Sequence, residues 1–275
     1  MQHTKIGFIG GGNMAASLIG GLIADGTTPS QIRVADPNTH CTQPLQQQFA
    51  VQIAADNVTL VEESEVVVLA VKPQVLREVC QQIAGAVQTK HPLIISVAAG
   101  IRIGDIDRWL GDDNAIVRTM PNTPALVQCG ATALYANGRV DDKQREIAER
   151  IMRAVGLTQW LENEAMMDAV TALSGSGPAY FFLVIEALEQ AGCKLGLSAE
   201  SSRVLALQTA FGATKMALES SESSEELRRR VTSPGGTTER AIGILEQGDL
   251  RGLFEQALSG ARDRAQELAE ELGAK

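Results

Sequence analysis

Histidine is scarce in this sequence, with three in 275 residues at His3, His40 and His91. None stands beside a glycine-rich break, so none is well placed as general acid toward a carbonyl or an alcohol. Cysteine is also sparse. Cys41, Cys80, Cys129 and Cys193 are dispersed with no C-x-x-C pair, which suggests neither zinc nor a disulfide framework and reads as buried thiols. Basic residues are outnumbered, 24 Lys and Arg against 33 Asp and Glu, for a net charge of −9. That balance argues against a nucleic-acid or anionic-membrane surface as partner and for a small diffusible one. No uncharged apolar run of about 18 residues is expected, because charges recur along the helical stretches, and no signal pattern opens the chain. The expectation is a soluble, cytoplasmic protein without a metal.

What the chain does have begins almost at the N-terminus, in Lys5-Ile6-Gly7-Phe8-Ile9-Gly10-Gly11-Gly12-Asn13-Met14-Ala15. An apolar run breaks at three glycines and resumes as a helical pattern through Leu18, Ile19, Leu22 and Ile23, which reads as strand, tight turn and helix. This is the pattern of a dinucleotide cradle. Gly10 allows the turn, Gly12 lets backbone approach a pyrophosphate, and Ala15 is the small residue where helix and strand pack closely. The helix that follows would aim its unpaired N–H groups at the anion.

Further strands are predicted at Gln31 to Asp36, Val51 to Ile53, Glu65 to Val71, Leu93 to Val97, Ala115 to Arg118, Ala131 to Leu134 and Thr158 to Trp160. Helices are expected near Gln46 to Phe49, after a cap at Asn57, from Pro73, up to Trp109, and from about Asp141. Asp36 ends the second strand where a Rossmann acid accepts the adenosine ribose 2′-OH; the alternative is an aspartate that opens the Asp36-Pro37 turn. As ribose ligand it favours NAD and repels a 2′-phosphate. Lys72 either meets the cofactor at the carboxyl end of its strand or is a solvated strand-end lysine. Met120-Pro121-Asn122-Thr123-Pro124 reads as a rigid turn at the same crevice.

Beyond Glu164 the strand signals stop. Six segments between Ala165 and Leu272 show helical periodicity, with Ser198, Ser223 and Asp249 where N-caps belong. The fold class is therefore an α/β Rossmann-type doubly wound parallel sheet, residues 1–162, followed by an all-α helical domain, residues 163–275. The second domain is more apolar than a lone helical unit of this size needs, which predicts a dimer sharing it. Two glycine-rich breaks interrupt it. Ser174 to Tyr180 ends one helix and starts another, and Thr232 to Glu239 converges N–H groups, hydroxyls and a helix N-terminus on a place suited to a carboxylate. With no histidine or lysine beside either break, the favoured chemistry needs little protein acid–base help, such as hydride addition to an imine already protonated on nitrogen.

Together, Gly10-Gly11-Gly12-Asn13-Met14, Ala70-Val71-Lys72-Pro73, Met120-Pro121-Asn122-Thr123-Pro124, Ser174-Gly175-Ser176-Gly177-Pro178-Ala179-Tyr180 and Thr232-Ser233-Pro234-Gly235-Gly236-Thr237-Thr238 closely resemble the pyrroline-5-carboxylate reductases, in order along essentially the whole chain. The last block, continuing through Ala241, Leu245 and Glu246, is the most specific. The resemblance implies reduction of pyrroline-5-carboxylate to L-proline by NAD(P)H, the last step of proline biosynthesis, in a homodimer that commonly assembles further into decamers. It implies cofactor contacts at Gly10, Gly11, Gly12, Asn13, Met14, Asp36, Asn57, Ala70, Val71, Lys72, Pro73, Val97, Ala98 and Ala99. It likewise implies substrate contacts at Ser233, Gly235, Gly236, Thr237 and Thr238, with Thr238 the catalytic residue at the ring nitrogen. NADPH is placed first on family grounds, and Asp36 keeps NADH as an alternative. Two rival readings share the architecture: another imine or β-hydroxyacid dehydrogenase, and a non-catalytic nucleotide-binding redox sensor. The dehydrogenase would need a catalytic lysine on a helix of the second domain, and Lys194 and Lys215 stand away from the breaks. The sensor predicts a degraded loop where Ser233 to Thr238 is intact.

Overall fold

Four residues without polar alternation, Ile6 to Ile9, suit a strand covered on both faces. In the computed structural model, which describes residues 4–274, they form β1 (Ile6–Ile9) and all four are buried. His3 lies outside the described residues. The chain divides into two compact units, Met1–Ser176 with Ala261–Lys275, and Gly177–Gly260.

The first unit continues through α1 (Asn13–Ala24), β2 (Ile32–Ala35), α2 (Thr39–Phe49), β3 (Gln52–Ile53), α3 (Asn57–Glu62), β4 (Val66–Leu69) and α4 (Pro73–Lys90). It goes on with β5 (Leu93–Ser96), α5 (Ile103–Trp109), β6 (Ile116–Met120), β7 (Gly130–Ala136), α6 (Asp142–Arg153), β8 (Gly156–Trp160) and α7 (Met166–Val170). The strands form one sheet in the order β3-β2-β1-β4-β5-β6-β7-β8. From β3 to β6 every pairing is parallel, and the order reverses beside β1, where β2 lies on one side and β4 on the other. β7 departs from the parallel expectation by running antiparallel to β6. Only a short link with a 3₁₀ turn (Thr123–Val127) joins the two, and a parallel crossover needs a dozen residues or more.

Alternate residues of the central strands serve opposite faces. Phe8, Val66 and Val68 pack with Leu18, Ile19 and Leu22 of α1 and with Ile151 and Met152 of α6. Ile9, Val67 and Leu69 pack on the other side with Leu76, Cys80 and Ile83 of α4 and with Ile106 of α5. Each such large side chain, fully buried, contributes about 1.5–3 kcal/mol to folding. Burial also pushes the Cys80 thiol up to about 12, so it is inert packing. The reading of all four cysteines as buried fails elsewhere: Cys41 is half-buried, and Cys129 and Cys193 are exposed.

Local signals account for three further departures. α2 begins at Thr39, ahead of the predicted Gln46, because the Asn38 side chain accepts the His40 N–H at 3.1 Å and the helix runs on through Pro44. The cap of α3 is Asp56, which accepts the Thr59 N–H at 2.7 Å, and Asn57 is the first helical residue. That backbone N–H holds the Asp56 carboxyl below its ordinary range. After α7 comes a π turn, Thr171–Gly175, closed by the Ser176 N–H on the Thr171 carbonyl at 2.8 Å. The break expected from Ser174, where one helix ends and another starts, is thus a widened helical turn with a bend at Ser176, and α8 (Gly177–Lys194) starts at the next residue.

The second unit holds α8 (Gly177–Lys194), α9 (Ala199–Glu219), α10 (Ser224–Arg230), α11 (Thr237–Gln247) and the start of α12 (Leu250–Gly273). Ser198 accepts the Ser201 N–H, Ser223 the Glu226 N–H and Asp249 the Gly252 N–H, as their positions predict. The apolar residues of this unit are largely uncovered: Phe182 is 67% exposed, Phe211 62% and Leu218 80%. One helical stretch, Met166–Lys194, is long and apolar enough by length and composition to cross a membrane. The sequence expectation of frequent charges fails there, since Glu186 is the one charge between Ala169 and Leu188. From Ala261 onward α12 belongs to the first unit, where Ala269 is buried and Leu272 packs against the core cluster that includes Ile103 and Ile106 of α5.

Candidate functional site

Gly10 follows β1 in a left-handed conformation, φ +101°, with its N–H donated to the Ala35 carbonyl at 2.8 Å. A side chain there would meet the Ala70 carbonyl oxygen at 2.6 Å, so the turn admits only glycine. Gly12 is the N-cap of α1 and offers no side-chain acceptor to the first helical N–H groups. A Cβ built on Gly12 would find nothing within 4 Å. Bare backbone, open space and an uncapped twelve-residue helix are what a pyrophosphate requires. Ala15, fully buried against the sheet, is the close-packing position. The residues present therefore fit a dinucleotide.

The other expected cofactor residues share this edge of the sheet. Asp36 follows β2, Asn57 follows β3, Ala70 to Pro73 follow β4 and Val97 to Ala99 follow β5, all at carboxyl ends of neighbouring parallel strands. Lys72 is exposed and precedes α4, with Pro73 as its first residue. Asn57 donates its amide to Gln82 of α4 at 2.9 Å. Asp36 is more occupied than its strand-end position implies: Oδ2 accepts the Gly11 N–H and Oδ1 the Asn38 N–H, both at 2.8 Å. One carboxylate thus ties the glycine turn to the β2–α2 turn, which includes the turn-opening role weighed for it.

A second set of contacts fixes the same edge and was not legible in the sequence. Arg118 on β6 is buried, pairs with Glu164 at 3.0 Å and lies 4.0 Å from Asp168 of α7. Glu164 Oε1 also accepts the Ile103 N–H at 2.8 Å, beyond the Val97 to Ala99 loop. Asn122 donates to the Ser174 carbonyl at 3.0 Å and accepts the Ala131 N–H at 2.9 Å, which makes the Met120 to Pro124 turn a brace as well as a turn. These partners are up to 61 residues apart, beyond any local pattern.

In the second unit, Thr232 to Thr238 leads into α11. Gly235 is left-handed at φ +71°, and the Gly236 N–H closes on the Ser233 carbonyl at 3.0 Å. Gly236 is the N-cap and offers no side chain to cap the helix. Thr237 and Thr238 are the first two helical residues, and Thr238 is half-buried. The arrangement gathers backbone donors and hydroxyls and contributes no basic side chain, so it suits a small carboxylate held by hydrogen bonds.

Residues 164–268 match the family model for pyrroline-5-carboxylate reductase dimerisation, and residues 5–100 match that for NADP oxidoreductase, coenzyme F420-dependent. A pyrroline-5-carboxylate reductase of Pseudomonas aeruginosa is 51% identical over 273 residues, covering 99% of this chain and 100% of its own. The chain belongs to the pyrroline-5-carboxylate reductase family. A solved reductase of Coxiella burnetii superposes with a TM-score of 0.94 at 46% identity, over 97% of this chain and 99% of its own. The Plasmodium falciparum pyrroline carboxylate reductase, solved with NADP bound, gives 0.86 at 31% identity over 98% and 99%. For this reductase-family chain, the match through residue 100 takes in the strand ends that carry every cofactor residue expected above, and the dimerisation match takes in the Ser233 to Thr238 loop.

Proposed function

We propose that this chain reduces pyrroline-5-carboxylate to L-proline with NADPH, closing the proline biosynthetic route, and that NADH is an alternative donor. The observation that carries the reading is the intact donor loop from Ser233 to Thr238 in a chain matched end to end by reductases. Gly10 to Met14 hold the pyrophosphate on backbone N–H groups and the α1 N-terminus. Asp36 and Asn57 take the adenosine side, while Ala70 to Pro73 and Val97 to Ala99 line the remaining strand ends. When bound, the reduced nicotinamide supplies the hydride. Ser233, Gly235, Gly236 and Thr237 hold the substrate carboxylate. Thr238 Oγ1 accepts the hydrogen bond of the protonated ring nitrogen and so orients the imine carbon that becomes saturated. No histidine is required, because the imine arrives with its proton.

A homo-oligomer follows from the uncovered apolar residues of the helical unit, a surface far larger than scattered exposure accounts for. Its match to a dimerisation model supports a homodimer through residues 163–275, with residues 1–162 as the NADP-binding part and a decamer as the further assembly. Compactness divides the chain at Ser176, because α7 and the end of α12 pack with the sheet. The exposed apolar side chains of α8, among them Phe181, Phe182, Leu183 and Leu188, are assigned to the partner subunit rather than to lipid, which keeps the enzyme in the cytoplasm. Purified protein mixed with pyrroline-5-carboxylate and either nucleotide should oxidise it and form L-proline mole for mole, and should sediment at twice 29.2 kDa or more. A folded, nucleotide-binding protein that oxidises neither would move the reading to the redox sensor.

Asp36 gives a sharper expectation. Asp36→Ser removes a ribose acceptor, a charge near a 2′-phosphate, and two backbone contacts, one to the glycine turn at Gly11 and one to the β2–α2 turn at Asn38. NADH affinity should fall about tenfold while NADPH affinity moves less, shifting preference toward NADPH. Equal losses for both nucleotides, measured as dissociation constants, would reduce the carboxylate to a fastener of the loop.

A further inference from the structure

The substrate loop carries an acid of its own. Glu239, the third residue of α11, places Oε2 2.7 Å from the Gly235 nitrogen and accepts its N–H. A glutamate at the third helical position ordinarily reaches back to the N-cap N–H. Here the N-cap is Gly236, and the carboxylate reaches one residue further, to the left-handed glycine. The space where a Gly235 side chain would stand is open. Glu239 itself is exposed, and the basic side chains Arg228 and Arg251 pair with Glu246 near the far end of the helix.

We propose that Glu239 is a specificity-determining residue, a tethered carboxylate that fills the Gly235 N–H until the carboxylate of the substrate displaces it. The inference rests on the reading of Ser233 to Thr238 as the substrate-carboxylate loop. A charge-assisted hydrogen bond at this distance is stronger than any a neutral ring can offer. An imine without a carboxylate therefore leaves the loop closed on Glu239, whereas an anionic one exchanges carboxylate for carboxylate. The cost of that exchange is the repulsion between the two while the second arrives, and it falls on substrate affinity rather than on hydride transfer.

Two variants separate charge from shape. Glu239→Gln keeps the length and an acceptor oxygen but removes the charge, and Glu239→Ala removes both. The KM for pyrroline-5-carboxylate should fall about three- to ten-fold in Glu239→Gln and at least as far in Glu239→Ala, with the gain in KM rather than kcat. L-Proline binding to the nucleotide-free enzyme, followed by equilibrium dialysis, should tighten in parallel. Values equal to the parent in both variants, or weaker in both, would overturn the proposal and leave Glu239 a helix cap. A parent enzyme that neither turns over the imine nor binds L-proline would instead end the reading of the loop.

Discussion

Gly10→Val should abolish nucleotide binding, with the dissociation constant for NADPH rising about a hundred-fold or more. Two costs act at the same atom. The left-handed backbone at φ +101° is strained by one to a few kcal/mol for any residue with a Cβ, most of all a β-branched one. The new Cβ would also stand 2.6 Å from the Ala70 oxygen and 2.8 Å from the Ala70 carbon. Neither neighbour can retreat cheaply, because the Ala70 N–H is bonded to Ile9 and the Gly10 N–H to Ala35, both at 2.8 Å. The turn itself must move, and the uncapped start of α1 moves with it. Titration of NADPH fluorescence reads the affinity, and a thermal melt without nucleotide reads the strain. Parental affinity in Gly10→Val would remove the glycine turn from the cofactor site. Gly12→Ala is the contrast: open space surrounds that Cβ, so its melt should stay near the parent's.

The elements legible in the sequence are those whose cause is local. An apolar run ending at glycine marks β1, an unalternated run marks β4, and a serine or aspartate ahead of a periodic stretch marks α6, α9 and α10. α2 reads too short in the sequence, near Gln46 to Phe49, although the Asn38 cap has already started the helix well ahead of Pro44. The π turn at Thr171 to Gly175 is hidden because the sequence shows only a helical stretch that meets a glycine-rich break at Ser174, with nothing to mark the widened turn between them. Contacts made across the sheet are not legible at all. The Arg118–Glu164–Ile103 brace and the grip of Asp36 on Gly11 depend on which strand ends are neighbours, and that follows only from the completed strand order. The apolar helical face is visible as composition, yet its reason lies in a second chain rather than in this one.

Thr238→Val should lower kcat/KM for the imine about 10- to 100-fold, the range expected for losing a hydrogen bond to a charged group together with the orientation it imposes. The hydroxyl is marked out by what it does not do. Thr171 and Thr214 within helical turns, and Thr232 just past α10, each donate to the carbonyl four residues earlier, as threonines in and beside helices commonly do. The Thr238 hydroxyl makes no hydrogen bond among the described residues, although the residue lies half-buried in the first turn of α11. Valine matches its shape, so a change in rate reports the oxygen and not the packing. With the substrate carboxylate assigned to Ser233, Gly235, Gly236 and Thr237 as proposed, its attachment should survive the substitution, and the loss should fall mainly on kcat. Thr238→Ser, which restores an oxygen on the same carbon, should recover most of it. Parental turnover in Thr238→Val would assign the ring nitrogen to another partner, and a loss confined to KM would show that the hydroxyl helps to hold the substrate rather than to orient it.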